Sequence, residues 1–337
     1  MCKRKPPSCS FIFVKYARRR HSPSGGLTLV GANSPCHNIA MTSTPEILCI
    51  GSVLWDVIGR SASHMRAGSD VPGRITRLPG GVAMNIAMTL RRFDMSSVLL
   101  SAIGRDPEGD ELVAACAHMG LGTRYIYRSD DLPTDRYMAV EGANGLIAAI
   151  ADAHSLEAAG DKILRALHDG RLGSGDAPFA GLIALDGNLT EALLTRIAAD
   201  PAFAKADLRV APASPGKAER LLPLLTHPRA TIYVNLEEAG LLCRTRFEDS
   251  IKAAQALRLR GAARVLVTDG GKIATEAGPD GIISAQPPEV MVTRVTGAGD
   301  TFMAAHIAAG TKGASATDAL TQALRAAADY VSGDTHL

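Results

Sequence analysis

The sequence has few aromatic residues and no long hydrophobic run. Aromatic residues make up only 4% of the 337-residue chain, although 46% of its residues are hydrophobic. No stretch reaches the roughly 20 apolar residues that a membrane-spanning helix requires. We therefore expect a soluble, cytoplasmic protein that does not bind membranes, with enough chain for one large domain or two modest ones.

The cysteines lack the spacings that bind metals or carry redox chemistry. None of the six forms a C-x-x-C pair or a zinc-binding set, which argues against zinc-finger and thioredoxin-like proteins. Cys49 and Cys116 stand in apolar surroundings and are expected to be buried thiols. This usage is typical of a reducing compartment.

Acidic residues are missing from the first 45 positions, which hold seven lysines and arginines. We expect residues 1–45 to be a disordered extension, with Met41 as the functional start. A transit peptide that directs the chain to an organelle is the alternative. The rest of the chain has 29 basic and 34 acidic residues, a formal charge of about −5, which gives no support for nucleic-acid binding.

From residue 46 onward, short apolar runs alternate with segments of helical periodicity. Continuous apolar runs that end in Gly, Asp, Asn or Ser are typical of strands buried on both faces. The order predicts one α/β domain over 46–337, a three-layer α/β/α sandwich with a mostly parallel central sheet. The predicted strands are 47–51, 97–104, 181–188, 207–214, 231–235 and 264–271.

Two segments interrupt this alternation, at about 58–76 and 132–150. The second predicts a hairpin that turns at 142–145. Together the segments predict a small β-sheet lid over the carboxyl ends of the main strands, where ligands bind in open α/β sheets. Exposed edges of such a lid can pair between chains, so a homodimer formed through the lid is plausible.

Two features near the start of the domain are suited to binding hydroxyl groups. Gly80 and Gly81 precede a helix whose first turn carries Asn85, and glycines allow the backbone to approach a ligand closely. Asp56 follows the first predicted strand, where a carboxylate can accept hydrogen bonds from a vicinal diol. An ordinary helix start and a turn aspartate are the alternative interpretations.

Two further strand ends could hold a metal ion and a nucleotide. Asn235 ends a predicted strand and Glu238 lies in the next helical turn, an arrangement that suits Mg²⁺ bound through water or, alternatively, a helix cap. Thr268 and Gly270 end another strand in a glycine turn, against which a nucleotide could lie.

The sequence TGAGDTF, residues 296–302, joins an anion-binding turn to a carboxylate. The backbone amides of Gly297, Ala298 and Gly299 can converge on one point at a helix N-terminus. Asp300 would face the same point. Amides that stabilise phosphoryl charge, beside a carboxylate that accepts a hydroxyl proton, are what phosphoryl transfer needs.

In combination these motifs resemble the ribokinase-like (PfkB) family of sugar and nucleoside kinases. The resemblance covers about 47–332 and rests on GGVAMNIAMTL with IGRDPEGD, on Asn235-x-x-Glu238 and on TGAGDTF, in the order of the family. It implies ATP and Mg²⁺ as partners of the reaction. It also implies site roles: Asp300 as base, Gly297 to Gly299 as anion hole, Asn235 and Glu238 near metal and phosphate, Asp56, Gly81 and Asn85 on the sugar, Thr268 and Gly270 on the nucleotide.

The sequence departs from the family pattern at three places. Arg294 stands where the family usually has an aspartate that helps to hold K⁺ in cation-dependent relatives, so we expect no activation by K⁺. Ile273 replaces a common glycine near the adenine. An asparagine often found in the last helix is replaced within RAAADYVSG, residues 325–333.

The acceptor is indicated less specifically. Segments 145–157, 185–190 and 211–225 resemble those of pseudouridine kinases in the family, which implies phosphorylation of the ribose 5′-hydroxyl. Ribokinase, adenosine kinase or another sugar kinase remains open, as does a non-catalytic nucleoside-binding module. A dinucleotide-dependent oxidoreductase is excluded because no G-x-G-x-x-G follows the first strand. Four polar residues in these segments could contact the acceptor or could equally be strand-end caps and solvated turns: Asp152, His154, Asp186 and Asn188. Lys217 could reach phosphate, but it is expected on an exposed helix.

Overall fold

A computed structural model describes residues 47–66 and 68–333 of the chain. The predictions for residues 1–45, including Met41 as the start, lie outside the described residues. Within those residues, no helix is both long enough and apolar enough to cross a membrane.

The described chain is built of strands and helices that follow one another singly or in short runs. The strands are β1 (Ile47–Ile50), β2 (Leu54–Arg60), β3 (Arg74–Gly80), β4 (Ser97–Leu100), β5 (Ala102–Gly104), β6 (Tyr127–Ser129), β7 (Arg136–Gly142), β8 (Gly145–Asp152), β9 (Leu182–Asp186), β10 (Asp207–Ala211), β11 (Ala230–Asn235), β12 (Arg264–Asp269), β13 (Lys272–Gly278) and β14 (Gly281–Ala285). The α-helices are α1 (Val82–Arg92), α2 (Pro107–His118), α3 (His154–Ala159), α4 (Glu191–Ala199), α5 (Leu222–Leu225), α6 (Leu236–Cys243), α7 (Ser250–Leu259), α8 (Ala298–Thr311) and α9 (Ala316–Ser332).

The central sheet has eight strands in the order β14-β13-β12-β11-β10-β9-β1-β4. Strands β12 to β4 in this order pair in parallel, and β13 and β14 add an antiparallel edge. Apolar clusters cover both faces: α3 to α7 pack on one, and α1, α2, α8 and α9 on the other. The predicted α/β/α sandwich is confirmed, since helices cover both faces of the central sheet. The prediction was possible because strands that are buried on both faces must be continuously apolar.

The second sheet has four strands in the order β3-β2-β7-β8. The β7–β8 hairpin turns between Gly142 and Gly145, as predicted. The strands of this sheet reach beyond the predicted lid segments 58–76 and 132–150, since they begin at Leu54 and extend to Gly80 and Asp152. Asp56 therefore lies within the small sheet and not at the end of a main-sheet strand, because the chain leaves the core three residues after β1 and pairs again at once.

Two local predictions were wrong. The apolar run 97–104 is divided at Ser101 into β4 and β5, which belong to different sheets, because β5 pairs with β6 and not with the central sheet. The helix expected around Lys217 is not one continuous α-helix, since it consists of a 3-10 helix, Pro215–Leu221, and the short helix α5. Pro223 lacks the amide hydrogen that a continuous α-helix would use at that position, which accounts for the break.

Candidate active site

The site lies along the carboxyl ends of the parallel strands. Asn235 at the end of β11 is the direct register partner of Thr268 in β12, so two predicted site residues from separate motifs are neighbours. Asp186 occupies the corresponding end of β9. The carboxyl edge of an open α/β sheet is where ligands bind in such folds.

Asp300 lies in the first turn of α8 and meets Asn85 from the first turns of α1. The Asn85 Nδ2 donates to the Asp300 Oδ2 at 2.9 Å. The two residues are 215 positions apart in the chain. The structure thus brings together the residue predicted to bind the sugar and the residue predicted to be the base.

The surroundings of Asp300 make its carboxyl a weaker acid than usual. Burial raises the pKa of Asp300 to about 7, the Asn85 hydrogen bond opposes this rise, and the negative charges of Asp186, Asp56 and Glu238 add to it. A carboxylate whose pKa is near neutrality is a far better proton acceptor than an ordinary surface aspartate.

The glycines before α8 form a tight turn. The Ala298 amide donates to the Val295 carbonyl at 3.1 Å, and Gly297 has φ 89° and ψ −3°, the values of the third residue of a type II turn. Among the described residues, the amides of Gly297, Gly299 and Asp300 have no backbone acceptor, so these three are available to an anion. The prediction for Ala298 is therefore wrong in this structure, because the turn itself uses its amide.

Asp56 reaches the site from the small sheet. It pairs across the sheet with Leu78 and Tyr137, and its carboxylate lies against Gly80, where an added Cβ would collide with it. No hydrogen bond joins this carboxylate to another of the described residues. Burial raises its pKa to about 6. An acceptor-only group without a partner is suited to the hydroxyls of a sugar.

Gly81 lets α1 begin directly on the end of β1. It has φ 97°, and a Cβ there would collide with the Ser52 carbonyl oxygen. The Ser52 Oγ accepts from the Val82 amide at 2.9 Å and donates to the Asp186 Oδ2 at 2.5 Å. Asp186 is fully buried, so it is a support beneath α1 and not a solvated turn. Its position in the sequence gave no signal of this, since only the packing of β1 against β9 creates the contact.

A polar chain continues from Asp186 towards Lys217. The Asn188 Nδ2 donates to the Ser52 Oγ at 3.0 Å, and the Lys217 Nζ donates to the Asn188 Oδ1 at 2.6 Å. Lys217 is half-buried, contrary to the expectation of an exposed helix, and burial together with the charge of Arg220 lowers its pKa. In contrast, Asp152 and His154 form an exposed pair at 2.8 Å, as expected of a solvated turn.

Asn235 and Glu238 form a capping box at the start of α6. The Glu238 amide donates to the Asn235 Oδ1 at 2.9 Å, and the Asn235 amide donates to the Glu238 Oε2 at 2.8 Å. The structure thus shows the helix cap that was the alternative interpretation of these two residues. Glu238 is also buried, and burial raises its pKa to about 7. Within the described part of the chain, no group of three or more acidic, His or Cys side chains could hold a metal by itself.

These two residues still fit a magnesium ion that keeps most of its water. Mg²⁺ is commonly held by one or two protein oxygens together with phosphate oxygens and water. Glu238 contributes one of the carboxylates whose mutual repulsion raises the pKa of Asp300. A divalent cation would relieve that repulsion.

The nucleotide side is less enclosed. Gly270 has φ 55° in the turn between β12 and β13, and an added Cβ at Gly270 or Gly271 would meet no other atom within 4 Å. Ile273, which replaces the usual family glycine, is 45% exposed on β13. Arg294, another of the three departures, is half-buried and donates from Nε to the Tyr330 carbonyl at 2.7 Å.

Comparisons with known proteins find kinases that are similar to this chain in sequence and in fold. A curated relative, pseudouridine kinase of Escherichia coli, is 29% identical over 277 residues, which cover 78% of this chain and 83% of the relative. A solved carbohydrate kinase from Agrobacterium tumefaciens is 26% identical with a TM-score of 0.70, covering 84% of this chain and 89% of that one. Arabidopsis thaliana ribokinase, solved with ribose and ATP, has the same fold at 20% identity and a TM-score of 0.70, covering 86% and 92%.

The family comparison covers nearly all of the described chain. The pattern of the pfkB family carbohydrate kinases matches residues 44–332, a range that includes Asp56, Asn85, Asn235 and Asp300. The chain belongs to the pfkB family of carbohydrate kinases, a family of sugar and nucleoside kinases.

Proposed function

We propose that the protein transfers the γ-phosphoryl group of ATP to the 5′-hydroxyl of pseudouridine. The observation that carries the phosphoryl-transfer part is the Asn85–Asp300 contact beside three free amides at the start of α8. The acceptor is supported by the 29% identity to a protein named pseudouridine kinase and by the lid and inner-strand segments.

The acceptor ribose binds first, with its hydroxyls on Asp56 and Asn85. Asp300 then takes the proton of the reacting hydroxyl as the acceptor oxygen bonds to the γ-phosphorus and the bond to the ADP oxygen breaks. The amides of Gly297, Gly299 and Asp300 stabilise the charge that spreads over the transferring group.

Asn235 and Glu238 would hold Mg²⁺ through water. When bound, the ion neutralises phosphate charge and orients the ATP phosphates. ATP itself would extend from Thr268 and Gly270 to the start of α8. The small sheet would close over the acceptor and exclude water, which limits hydrolysis of ATP.

The decisive experiment is a panel of acceptors with ATP and Mg²⁺, with ADP release as the measurement. Pseudouridine, uridine, adenosine, ribose and fructose 6-phosphate are compared by kcat/KM. Strong preference for pseudouridine supports the proposal. Preference for ribose or adenosine would support the assignment as a kinase and overturn the assignment of pseudouridine as the acceptor. Tight nucleoside binding without turnover of any acceptor would favour a non-catalytic binding module.

The rate should depend on the protonation of Asp300. Because the pKa of its carboxyl is raised to about 7, we expect kcat/KM to fall by about tenfold per pH unit below pH 7 and to level off above it. The measurement is kcat/KM for the best acceptor between pH 5.5 and 8.5, with enzyme stability checked at each pH. A rate that is flat from pH 5.5 to 8 would contradict a base with this pKa.

Activity should be insensitive to K⁺. The Arg294 guanidinium occupies the place of the family's cation-binding carboxylate and is held by the Tyr330 carbonyl and ring. A fixed positive charge repels a monovalent cation. We expect equal rates in NaCl and KCl at constant ionic strength, and a several-fold higher rate in KCl would refute the assignment.

A homodimer through the small sheet is proposed from its apolar outer surface. Val57, Met138 and Ile150 are cross-strand partners on the side of the sheet opposite Asp56, and Ile150 is 62% exposed on the edge strand β8. We expect Ile150→Glu to convert a dimer into a monomer in sedimentation analysis. Leu259→Glu, at a site that is 89% exposed on α7, is the control that should not change the mass. A wild-type monomer would contradict the proposal.

A further inference from the structure

The anion-binding amides depend on the orientation of a single peptide group. In the Val295–Ala298 turn, the central peptide joins Thr296 to Gly297. Type I and type II turns differ by a flip of this peptide, which reverses both its carbonyl and its amide. The direction of the Thr296 carbonyl therefore decides where the Gly297 amide points.

Tyr330 holds that carbonyl. Its hydroxyl donates to the Thr296 oxygen at 2.9 Å, although the two residues are 34 positions apart. The contact is close enough that an added Cβ at Gly297 would lie 2.5 Å from the same hydroxyl oxygen. Burial raises the pKa of Tyr330, so the hydroxyl keeps its proton and remains a donor at neutral pH.

Arg294 in turn fixes the tyrosine ring. Its guanidinium carbon lies 3.8 Å from the ring centroid, and its Nε donates to the Tyr330 carbonyl at 2.7 Å. A cation stacked on an aromatic ring and placed at a helix C-terminus is stabilised by both the ring and the helix dipole.

The backbone completes the connection between the turn and the end of α9. The amides of Thr293 and Arg294 both donate to the Val331 carbonyl, at 2.8 and 3.2 Å. The turn that precedes Asp300 is thus tied to the last helix at three levels: backbone, stacked side chain and hydroxyl.

We propose that Tyr330 and Arg294 are positioning residues for phosphoryl transfer, which select the type II orientation of the Thr296–Gly297 peptide and so direct the Gly297 amide into the anion hole. The inference rests on the proposed role of the α8 amides. It assigns a function to the one stretch of the last helix that departs from the family pattern and to Arg294, which the mechanism above does not otherwise use.

The test is Tyr330→Phe, which removes the hydroxyl and keeps the ring. Loss of one such hydrogen bond is worth about 1.4 kcal/mol, so we expect kcat to fall about tenfold while KM for ATP and for the acceptor stays within about twofold. Arg294→Met should lower kcat similarly, and the double variant should lose little more, because both act through one peptide. Tyr127→Phe, on β6 in the separate two-stranded sheet, removes a hydroxyl that makes none of these contacts; it is the control and should retain wild-type kcat.

A second measurement uses binding in place of turnover. ADP with aluminium fluoride and acceptor imitates the transferring phosphoryl, so Tyr330→Phe should weaken its binding about tenfold and leave the binding of ADP alone unchanged. Wild-type kcat in Tyr330→Phe, beside an inactive Asp300→Asn, would overturn the positioning role and leave the kinase intact. Equal losses in kcat and in ADP binding, or a collapse of thermal stability, would also overturn it, since they indicate a structural role. Absence of phosphoryl transfer in the wild type would instead refute the proposed function.

Discussion

Asp300→Asn is expected to lower kcat by about a thousandfold. General-base catalysis is worth about 10²–10⁴ in rate, and asparagine cannot accept the hydroxyl proton. The substitution keeps the shape of the side chain and an oxygen to accept from Asn85, so the acceptor should bind nearly as well as to the wild type. Steady-state ADP release measures kcat, and calorimetry with the acceptor measures binding.

Near-normal turnover of Asp300→Asn would contradict the assignment of Asp300 as the base. Loss of acceptor binding in parallel with turnover would make it a binding residue. Gln255→Glu, an exposed change on α7, controls for a general effect of an amide–carboxyl exchange and should keep full activity.

Asp300→Asn is also expected to change the stability of the fold. The pKa of Asp300 is raised in the folded state, so the folded protein binds more protons than the unfolded chain between about pH 4 and 7, and its stability falls as pH rises through that window. Asparagine removes this cost. Asp300→Asn should therefore raise the thermal midpoint at pH 8 and leave it nearly unchanged at pH 4, and equal midpoints at pH 8 would contradict the raised pKa.

Gly297→Ala is expected to lower kcat by about a hundredfold and also to destabilise the fold. The φ of 89° costs an L-residue about 1–2 kcal/mol, and the new Cβ would lie 2.5 Å from the Tyr330 hydroxyl oxygen. The turn must shift, and displacement of one anion-hole donor typically costs about 10²–10³ in kcat. Turnover and thermal unfolding are measured on the same preparation.

Gly299→Ala is the matched control for stability. Gly299 lies inside α8, has an ordinary helical φ, and a Cβ there would meet no other atom within 4 Å. Alanine should keep or slightly raise the thermal midpoint, because it favours the helix over glycine by about 0.5–1 kcal/mol. Equal destabilisation by both substitutions would show that the strain at Gly297 is not specific to its backbone conformation.

The local elements of the site were predictable from the sequence. Continuous apolar runs indicated buried parallel strands, since only such runs satisfy two packed faces. The glycines at 80–81 and 297 indicated close backbone approach and a tight turn before a helix; Gly81 and Gly297 have positive φ, and a Cβ at any of the three would collide with a neighbour. Asn235-x-x-Glu238 left a water-mediated Mg²⁺ site and a helix cap as alternatives, and a capping box is present. In each case, interactions within a few residues decide the conformation.

Some errors came from elements whose fate depends on distant partners. The run 97–104 was read as one strand because periodicity does not show that its two halves pair with different sheets. Asp56 was placed at a strand end because the register of the small sheet is set by β3 and β7 and not by its own neighbours. The Ala298 amide was counted as free because the turn that consumes it depends on Val295 being held in place.

The sequence by itself determined the layers of the sandwich, the helix starts and the residue types that the site contains. The tertiary structure decided which of these residues meet. Asn85 reaches Asp300, Ser52 reaches Asp186 and Tyr330 reaches Thr296 across 215, 134 and 34 positions. Periodicity and backbone preference are local properties, whereas burial, and with it the pKa of Asp300, arises only when distant segments pack together and exclude water.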